Sequence, residues 1–282
     1  MNKSINQTIL KAVNGDSTAL EEIIREIKDP IYNLSLRMLG LTADAEDASQ
    51  DILIKVITNL SAFRQEAAFQ TWVYRIAVRY LIDYKKSMFA QHPLDFEYYA
   101  NDIRAGYLPD DNELLFGADR QALANELKLS CTNVMLQCLD AQSRCIYILG
   151  TMFHFDSRIA AEILDMSPEN YRQKLSRARH KMADFLQANC GLAKGSCDCF
   201  KRVGYAIKTH RLDPARLEFT HLKTLNHSLL EEYTEAMEVF DEQMDIFENL
   251  PHYQSPIETK QFIQKLVSSD AMMKIRTYKE TV

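Results

Sequence analysis

Between Phe69 and Lys86 the chain interleaves rings and cations: Phe69, Trp72, Tyr74, Tyr80 and Tyr84 alternate with Arg75, Arg79, Lys85 and Lys86. Flat rings stack on bases and cations hold phosphates, so this mixture suits single-stranded nucleic acid. Upstream, Asp44, Glu46, Asp47 and Asp51 put four carboxylates beside the amide of Gln50. Such a surface needs a basic partner. Downstream, Ser167-Pro168-Glu169-Asn170 leads into Arg172, Gln173, Ser176 and Arg177. Amide and guanidinium groups at the start of a helix are what reading base edges in the major groove requires. Finally, Cys190, Cys197 and Cys199 fall within ten residues, with Gly191 and Gly195 between them. Thiolates so close can converge on one metal such as zinc, with His210 or His221 as fourth ligand. The spacing matches no standard zinc finger, and a redox pair or an ordinary tight turn accounts for it as well.

The elements that position these groups are helical. Ala48, Ile52, Val56 and Leu60 recur four residues apart, with Leu53 and Ile57 beside them, which predicts a buried stripe on a helix over 43–60. Its other face carries Asp44, Asp47, Gln50, Asp51 and Thr58, and Thr42 is placed to cap it. A loop over 61–70 holds Ser61, Phe63, Arg64 and Phe69, and a second helix covers 71–86. Pro30 is expected to open a short helix ending before Gly40. Arg158 to Leu164, a turn at Asp165, and a helix from Pro168 have helix-turn-helix form. Ser167 is its cap, and Tyr171, Leu175, Ala178 and Met182 form its inner face. Cys131, Cys138 and Cys145, seven apart, read as small core residues.

The bulk numbers fit a soluble all-α protein. The 282 residues are 26% charged and 46% apolar, with only eight Gly and seven Pro. No apolar run is long enough to span a membrane, and the first residues lack the apolar core of a signal peptide. A cytoplasmic protein is expected, with no membrane partner and with its six cysteines reduced or metal-bound. The net charge of −6 hides segregation. Residues 71–86 and 167–186 are basic, whereas 224–257 hold eight acids and neither Lys nor Arg. Local patches, not the net charge, set the electrostatic footprint of a nucleic-acid binder.

The run AEDASQDIL, followed by an aromatic-flanked loop and TWVYRIA…IDYKK, resembles region 2 of bacterial sigma factors of the extracytoplasmic-function (ECF) group. AEILDMS…LSRAR is similar to their region 4. The resemblance implies an all-α transcription initiation factor that directs core RNA polymerase to promoters, requires no cofactor and is not an enzyme. It implies polymerase contacts at Asp44, Asp47, Gln50, Asp51 and Leu53. It also implies minus-10 DNA contacts at Ser61, Phe63, Arg64, Phe69, Trp72, Tyr74, Arg75 and Arg79. Minus-35 contacts are implied at Arg158, Ser167, Glu169, Asn170, Arg172, Gln173, Ser176 and Arg177. Two positions depart from the family pattern: Asp165 stands where the turn usually has Gly, and Arg79 where Asn is common.

On this reading the chain divides into region 2 (1–88), an acidic linker (89–125), region 4 (126–187) and a helical extension (188–282). The extension is expected to carry an acidic amphipathic helix over 225–250 and a last helix after Ser255-Pro256. It could serve as a built-in regulator or as a platform for an anti-sigma or other regulatory protein. Two rival readings remain: a helix-turn-helix regulator that needs no polymerase, and a metal or redox sensor acting through the C-terminal cysteines.

Overall fold

The computed structural model describes residues 2–106, 119–225, 245–248 and 250–268. The chain folds into helices α1 (Asn2–Val13), α2 (Ser17–Leu39), α3 (Thr42–Thr58), α4 (Phe69–Ile82), α5 (Met88–Gln91) and α6 (Phe96–Ala105). After residues 107–118 follow α7 (Arg120–Leu136), α8 (Ala141–Tyr147), α9 (Ser157–Ile163), α10 (Pro168–Asn189) and α11 (Cys199–Lys208). Two short helices come last, α12 (Asp245–Glu248) and α13 (Thr259–Val267). Among the described residues none forms a strand beyond an isolated antiparallel bridge between Thr224 and Tyr253.

Helix α2 corrects the expectation at Pro30. It runs unbroken from the Asp16 cap, whose carboxylate accepts from Thr18 and Ala19 N–H, to Gly40 at φ 82°. A proline inside a helix removes one backbone hydrogen bond, at a cost of about 3 kcal/mol. Ile23, Ile24, Ile27, Ile31, Leu34 and Leu36 are all fully buried along this helix. Each such side chain contributes about 1.5–3 kcal/mol, so the burial outweighs the broken bond. Helix α3 follows the predicted stripe, with Ala48, Ile52, Leu53, Val56 and, just beyond its end, Leu60 buried. Its start differs: Leu41 is the cap position, without a side-chain bond, and Thr42 Oγ1 instead donates to Glu218 at 3.0 Å.

One buried cluster runs from Ile9 in α1 to Leu266 in α13, so the region 2 and region 4 helices share a core. Part of the linker is helical and packed: Tyr99 and Ile103 of α6 are buried. The remainder, 107–118, lies outside the described residues. Most of the expected acidic helix (226–244 and 249) does too, but Ile246, Phe247 and Leu250 are buried. The chain then runs along α2 as an extended strap. Asn33 accepts from Tyr253 N–H at 2.8 Å and donates to its carbonyl at 2.7 Å. Arg37 donates to the Pro251 carbonyl at 2.5 Å, and Asp29 accepts from Ser255 N–H at 2.8 Å. A second, smaller cluster joins α7 to α11 through Leu123, Ala124, Val203, Ala206 and Ile207.

Candidate nucleic-acid interface

Helix α4 presents two working sides. Trp72, Ile76, Arg79, Tyr80 and Tyr84 recur at helical spacing and line a groove of about 770 Å³, closed on its far side by Lys55 and Asn59 of the α3 end. Lys85 and Lys86 sit at its mouth. The Tyr80 and Tyr84 rings lie 5.5 Å apart, and Lys55 Nζ lies 5.4 Å from the Tyr80 ring centre. Rings for stacking, with cations around the rim, make a binding surface for a single strand. Of the predicted contacts, Trp72 and Arg79 line this groove. Ser61 and Arg64 are exposed in the preceding loop. Phe63 and Phe69 brace Trp72 with ring centres 5.5 and 6.0 Å away; Phe69 is itself buried, so it supports the ring and does not touch a strand.

Tyr74 and Arg75 point elsewhere. Tyr74 packs edge-on against Phe155, with centres 4.9 Å apart, and near Phe153 at 6.4 Å. Burial raises its phenol far above the ordinary value. Arg75 Nη2 lies 3.1 Å from Glu162 Oε1 of α9. In this conformation these two residues join α4 to the helix-turn-helix unit and are withdrawn from DNA.

The helix-turn-helix stands as predicted. Asp165 takes φ 55° in the turn, Ser167 Oγ accepts from Asn170 N–H at 3.2 Å, and Pro168 opens α10. A side chain tolerant of left-handed geometry is what this turn needs, and aspartate is one. Arg158, Ser167, Glu169, Asn170, Arg172, Gln173, Ser176 and Arg177 are all exposed. The opposite face is anchored. Tyr171 is buried and donates to the Ile146 carbonyl at 3.2 Å, while Arg179 donates to Thr151 at 3.0 Å and the Gly150 carbonyl at 3.2 Å. Any Cβ at Gly150 would come within 2.6 Å of Tyr171 and Leu175 side-chain atoms, so only glycine lets α10 approach.

On α3, Asp47 and Gln50 are exposed. Asp44 accepts from Met88 N–H at 3.2 Å, and burial lifts its carboxyl above the usual range. Asp51 accepts from Tyr80 and lies 4.0 Å from Lys86, so it ties α3 to the groove. Leu53 is fully buried and belongs to the core, which corrects its assignment as a surface contact.

The cysteine junction is a tight loop. Gly195 N–H donates to the Cys190 carbonyl at 2.7 Å, and Cys197 N–H to the Asn189 carbonyl at 3.1 Å. Among the described residues no three Cys, His, Asp or Glu side chains are arranged to hold a metal. His210 and His221 are exposed. Cys131 of α7, read from sequence as a core residue, lies within electrostatic reach of Cys190, Cys197 and Cys199.

Sequence reasoning left Lys55, Tyr80, Tyr84, Lys85 and Lys86 out of the site. The repeat Trp72, Ile76, Tyr80, Tyr84, one residue per turn, is the signal that would have found the rings. Lys55 arrives from another helix and carries no local signal.

Residues 23–88 match the Sigma-70 region 2 family. Over 119 residues the chain is 34% identical to the ECF RNA polymerase sigma factor SigW of Bacillus subtilis (strain 168), covering 39% of this chain and 64% of that protein. Over 183 residues it is 24% identical to the RNA polymerase sigma-H factor of Pseudomonas aeruginosa, covering 64% of this chain and 93% of that one. Over 180 residues it is 27% identical to the RNA polymerase sigma factor NccH of Alcaligenes xylosoxydans xylosoxydans, covering 64% and 92%. Among solved structures it is similar to CnrH in complex with the cytosolic domain of CnrY, with a TM-score of 0.46 and 18% identity over 64% of this chain and 96% of that one.

Proposed function

Because the chain belongs to the ECF group of bacterial RNA polymerase sigma factors, we propose that it binds core RNA polymerase and brings it to promoters with a minus-10 and a minus-35 element. The observation that carries this reading is the Trp72–Tyr80–Tyr84 groove rimmed by Lys55, Arg79, Lys85 and Lys86. A plain duplex-binding regulator has no use for stacking rings, whereas a protein that captures a melted strand needs them. The exposed start of α10 supplies the duplex-reading half, through Gln173, Arg172 and Arg177. Asp47 and Gln50 form an acidic patch fit for a basic polymerase surface. Catalysis stays with the polymerase, no cofactor is required, and the protein works in the cytoplasm. Among the described residues no helix is long and apolar enough to cross a membrane.

The extension has a place in the same reading. Its strap bonds to α2 of region 2 through Asn33, Arg37 and Asp29, while Phe247 packs against Tyr147 of region 4 at 5.5 Å and His252 against Phe153 at 5.4 Å. It therefore serves as an internal clasp that keeps the two reading units together until polymerase binds. A regulatory protein could act by loosening or reinforcing it.

A photo-crosslinking residue in place of Tyr80 tests the reading within the reconstituted holoenzyme on promoter DNA. Crosslinks should fall on one strand about ten base pairs upstream of the start site and require the melted complex. Crosslinks to duplex DNA in the absence of polymerase would reject the sigma reading in favour of a stand-alone regulator.

A further inference from the structure

The six cysteines divide sharply by environment. Burial pushes Cys131 up to about 11, and Cys138, Cys145 and Cys190 up to about 12. At neutral pH these are protonated thiols and poor nucleophiles. Cys197 is the exception. The loop closed by Gly191 and Gly195 delivers it, half-exposed, to the position before Asp198, the cap of α11. A Cβ at Gly195 would lie 2.5 Å from the Cys190 nitrogen, so this turn depends on glycine.

Around the Cys197 sulfur stand two donors. The Cys199 thiol donates to it, and so does the Arg202 guanidinium from the first turn of α11. Arg202 is held rigidly: its side chain is only 8% exposed, and Nη2 lies 3.2 Å from Asp102 Oδ2 of α6. Asp102 in turn accepts from Tyr205 at 2.8 Å and from Arg211. The positive end of a ten-residue helix adds to the guanidinium field. Asp198 opposes it, but its carboxylate accepts from Lys201 N–H at 3.3 Å and lies 3.5 Å from Lys201 Nζ. The hydrogen bond from Cys199 and the charge of Arg202 together lower Cys197 to about 6, against the effect of burial. Cys199, as the donor, is shifted the other way.

We propose that Cys197 is a peroxide-reactive thiolate and that Cys199 is its resolving thiol. The Cys197 thiolate attacks one oxygen of a hydroperoxide. An S–O bond forms, the O–O bond breaks, and the departing alkoxide or hydroxide takes a proton from water. Cys199 then loses its proton and attacks the sulfenic sulfur. An S–S bond forms and water leaves with the sulfenic oxygen. Two thiols are oxidised to one disulfide while the hydroperoxide is reduced by two electrons to an alcohol and water. A dithiol reductant reverses it by exchange. The backbone permits the bond: Asp198 is extended (φ −120°, ψ 108°), which separates its neighbours' Cα atoms by about 6.6 Å, inside the range disulfides span. Oxidation removes the thiolate that Arg202 bonds, and so weakens the Arg202–Asp102 tie between α11 and α6. The inference stands on the junction alone and does not depend on the sigma reading.

The test uses the full reduced chain, hydrogen peroxide at low molar excess, alkylation under denaturing conditions, and peptide mapping. The expected product has one disulfide, Cys197–Cys199, with Cys131, Cys138, Cys145 and Cys190 still alkylated. Cys197→Ser should slow peroxide consumption roughly tenfold or more. Cys199→Ser should instead leave consumption fast and accumulate a sulfenic acid that a dimedone probe labels on Cys197. In the wild-type chain the rate should fall as pH drops through about 6, and Arg202→Gln should move that midpoint upward. Wild-type consumption by a folded Cys197→Ser variant, or no dimedone adduct in Cys199→Ser, would overturn the proposal. A disulfide from Cys197 to Cys190 or Cys131 would overturn the assignment of the resolving thiol.

Discussion

Arg75 of α4 and Glu162 of α9 are 3.1 Å apart, so the helix expected to engage the minus-10 strand is held against the helix-turn-helix unit. The two promoter elements are about 25 base pairs apart, roughly 85 Å along the duplex at 3.4 Å per step. The described conformation cannot read both. It is a closed form, and engagement requires α4 and α9 to part. Neither contact across the seam resists this strongly: a half-exposed ion pair contributes about 0.2–1 kcal/mol and an aromatic pair about 0.5–1.5 kcal/mol. Fluorophores placed through unnatural amino acids at the exposed Glu66 and Gln187 should therefore show energy transfer in the free chain and lose most of it on binding core polymerase. Unchanged transfer in the holoenzyme would contradict the closed form as the resting state.

The clasp is held chiefly by Asn33. Its side chain bonds both backbone groups of Tyr253 and the Asp29 carbonyl, all in a buried setting. Asn33→Ala leaves those groups without partners, at about 1–3 kcal/mol for each that stays dry. The variant should show a lower urea midpoint and rapid proteolysis within 245–268, together with tighter binding to core polymerase. Loss of stability with unchanged polymerase affinity would make the extension a scaffold and nothing more.

Asp47 and Gln50 are exposed on α3, while its other face is core. The double change Asp47→Lys and Gln50→Lys should preserve helicity by circular dichroism and abolish co-elution with core polymerase. Asp51 is unsuited to the same experiment, since its bond to Tyr80 couples it to the groove.

Within α10, Gln173 and Arg177 separate two kinds of contact. Loss of a base-reading amide costs about 1–3 kcal/mol at its own base pair, whereas loss of a phosphate contact weakens all sequences alike. Gln173→Ala should relax preference at one or two positions of the minus-35 element in a randomised promoter library. Arg177→Ala should flatten the salt dependence of binding. If both variants keep the parent preference and salt slope, the exposed start of α10 does not face the duplex.

Local patterns in the sequence carried much of this. The four-residue rhythm Ala48, Ile52, Val56, Leu60 placed the inner face of α3, and Ser167-Pro168 placed the start of α10 to the residue. What stayed hidden was long-range. Pro30 reads as a helix start because its missing N–H is a local fact; the buried face that carries α2 past it is assembled from other helices. Tyr74 reads as a nucleic-acid ring because its partners, Phe153 and Phe155, lie some eighty residues on. Cys131 reads as a small core residue because the loop that brings Cys197 toward it closes only after α10 ends. The strap has no apolar period to betray it, since Asn33 recognises its backbone.

The sigma reading makes transcription itself the deciding measurement: core polymerase from the source bacterium, the purified chain and a genomic promoter library, with start sites mapped by sequencing. The account predicts discrete starts that depend on the chain and share two sequence blocks upstream, and that vanish with Asp47→Lys and Gln50→Lys. Sequence-specific DNA binding by the chain without polymerase, with no chain-dependent starts, would contradict it.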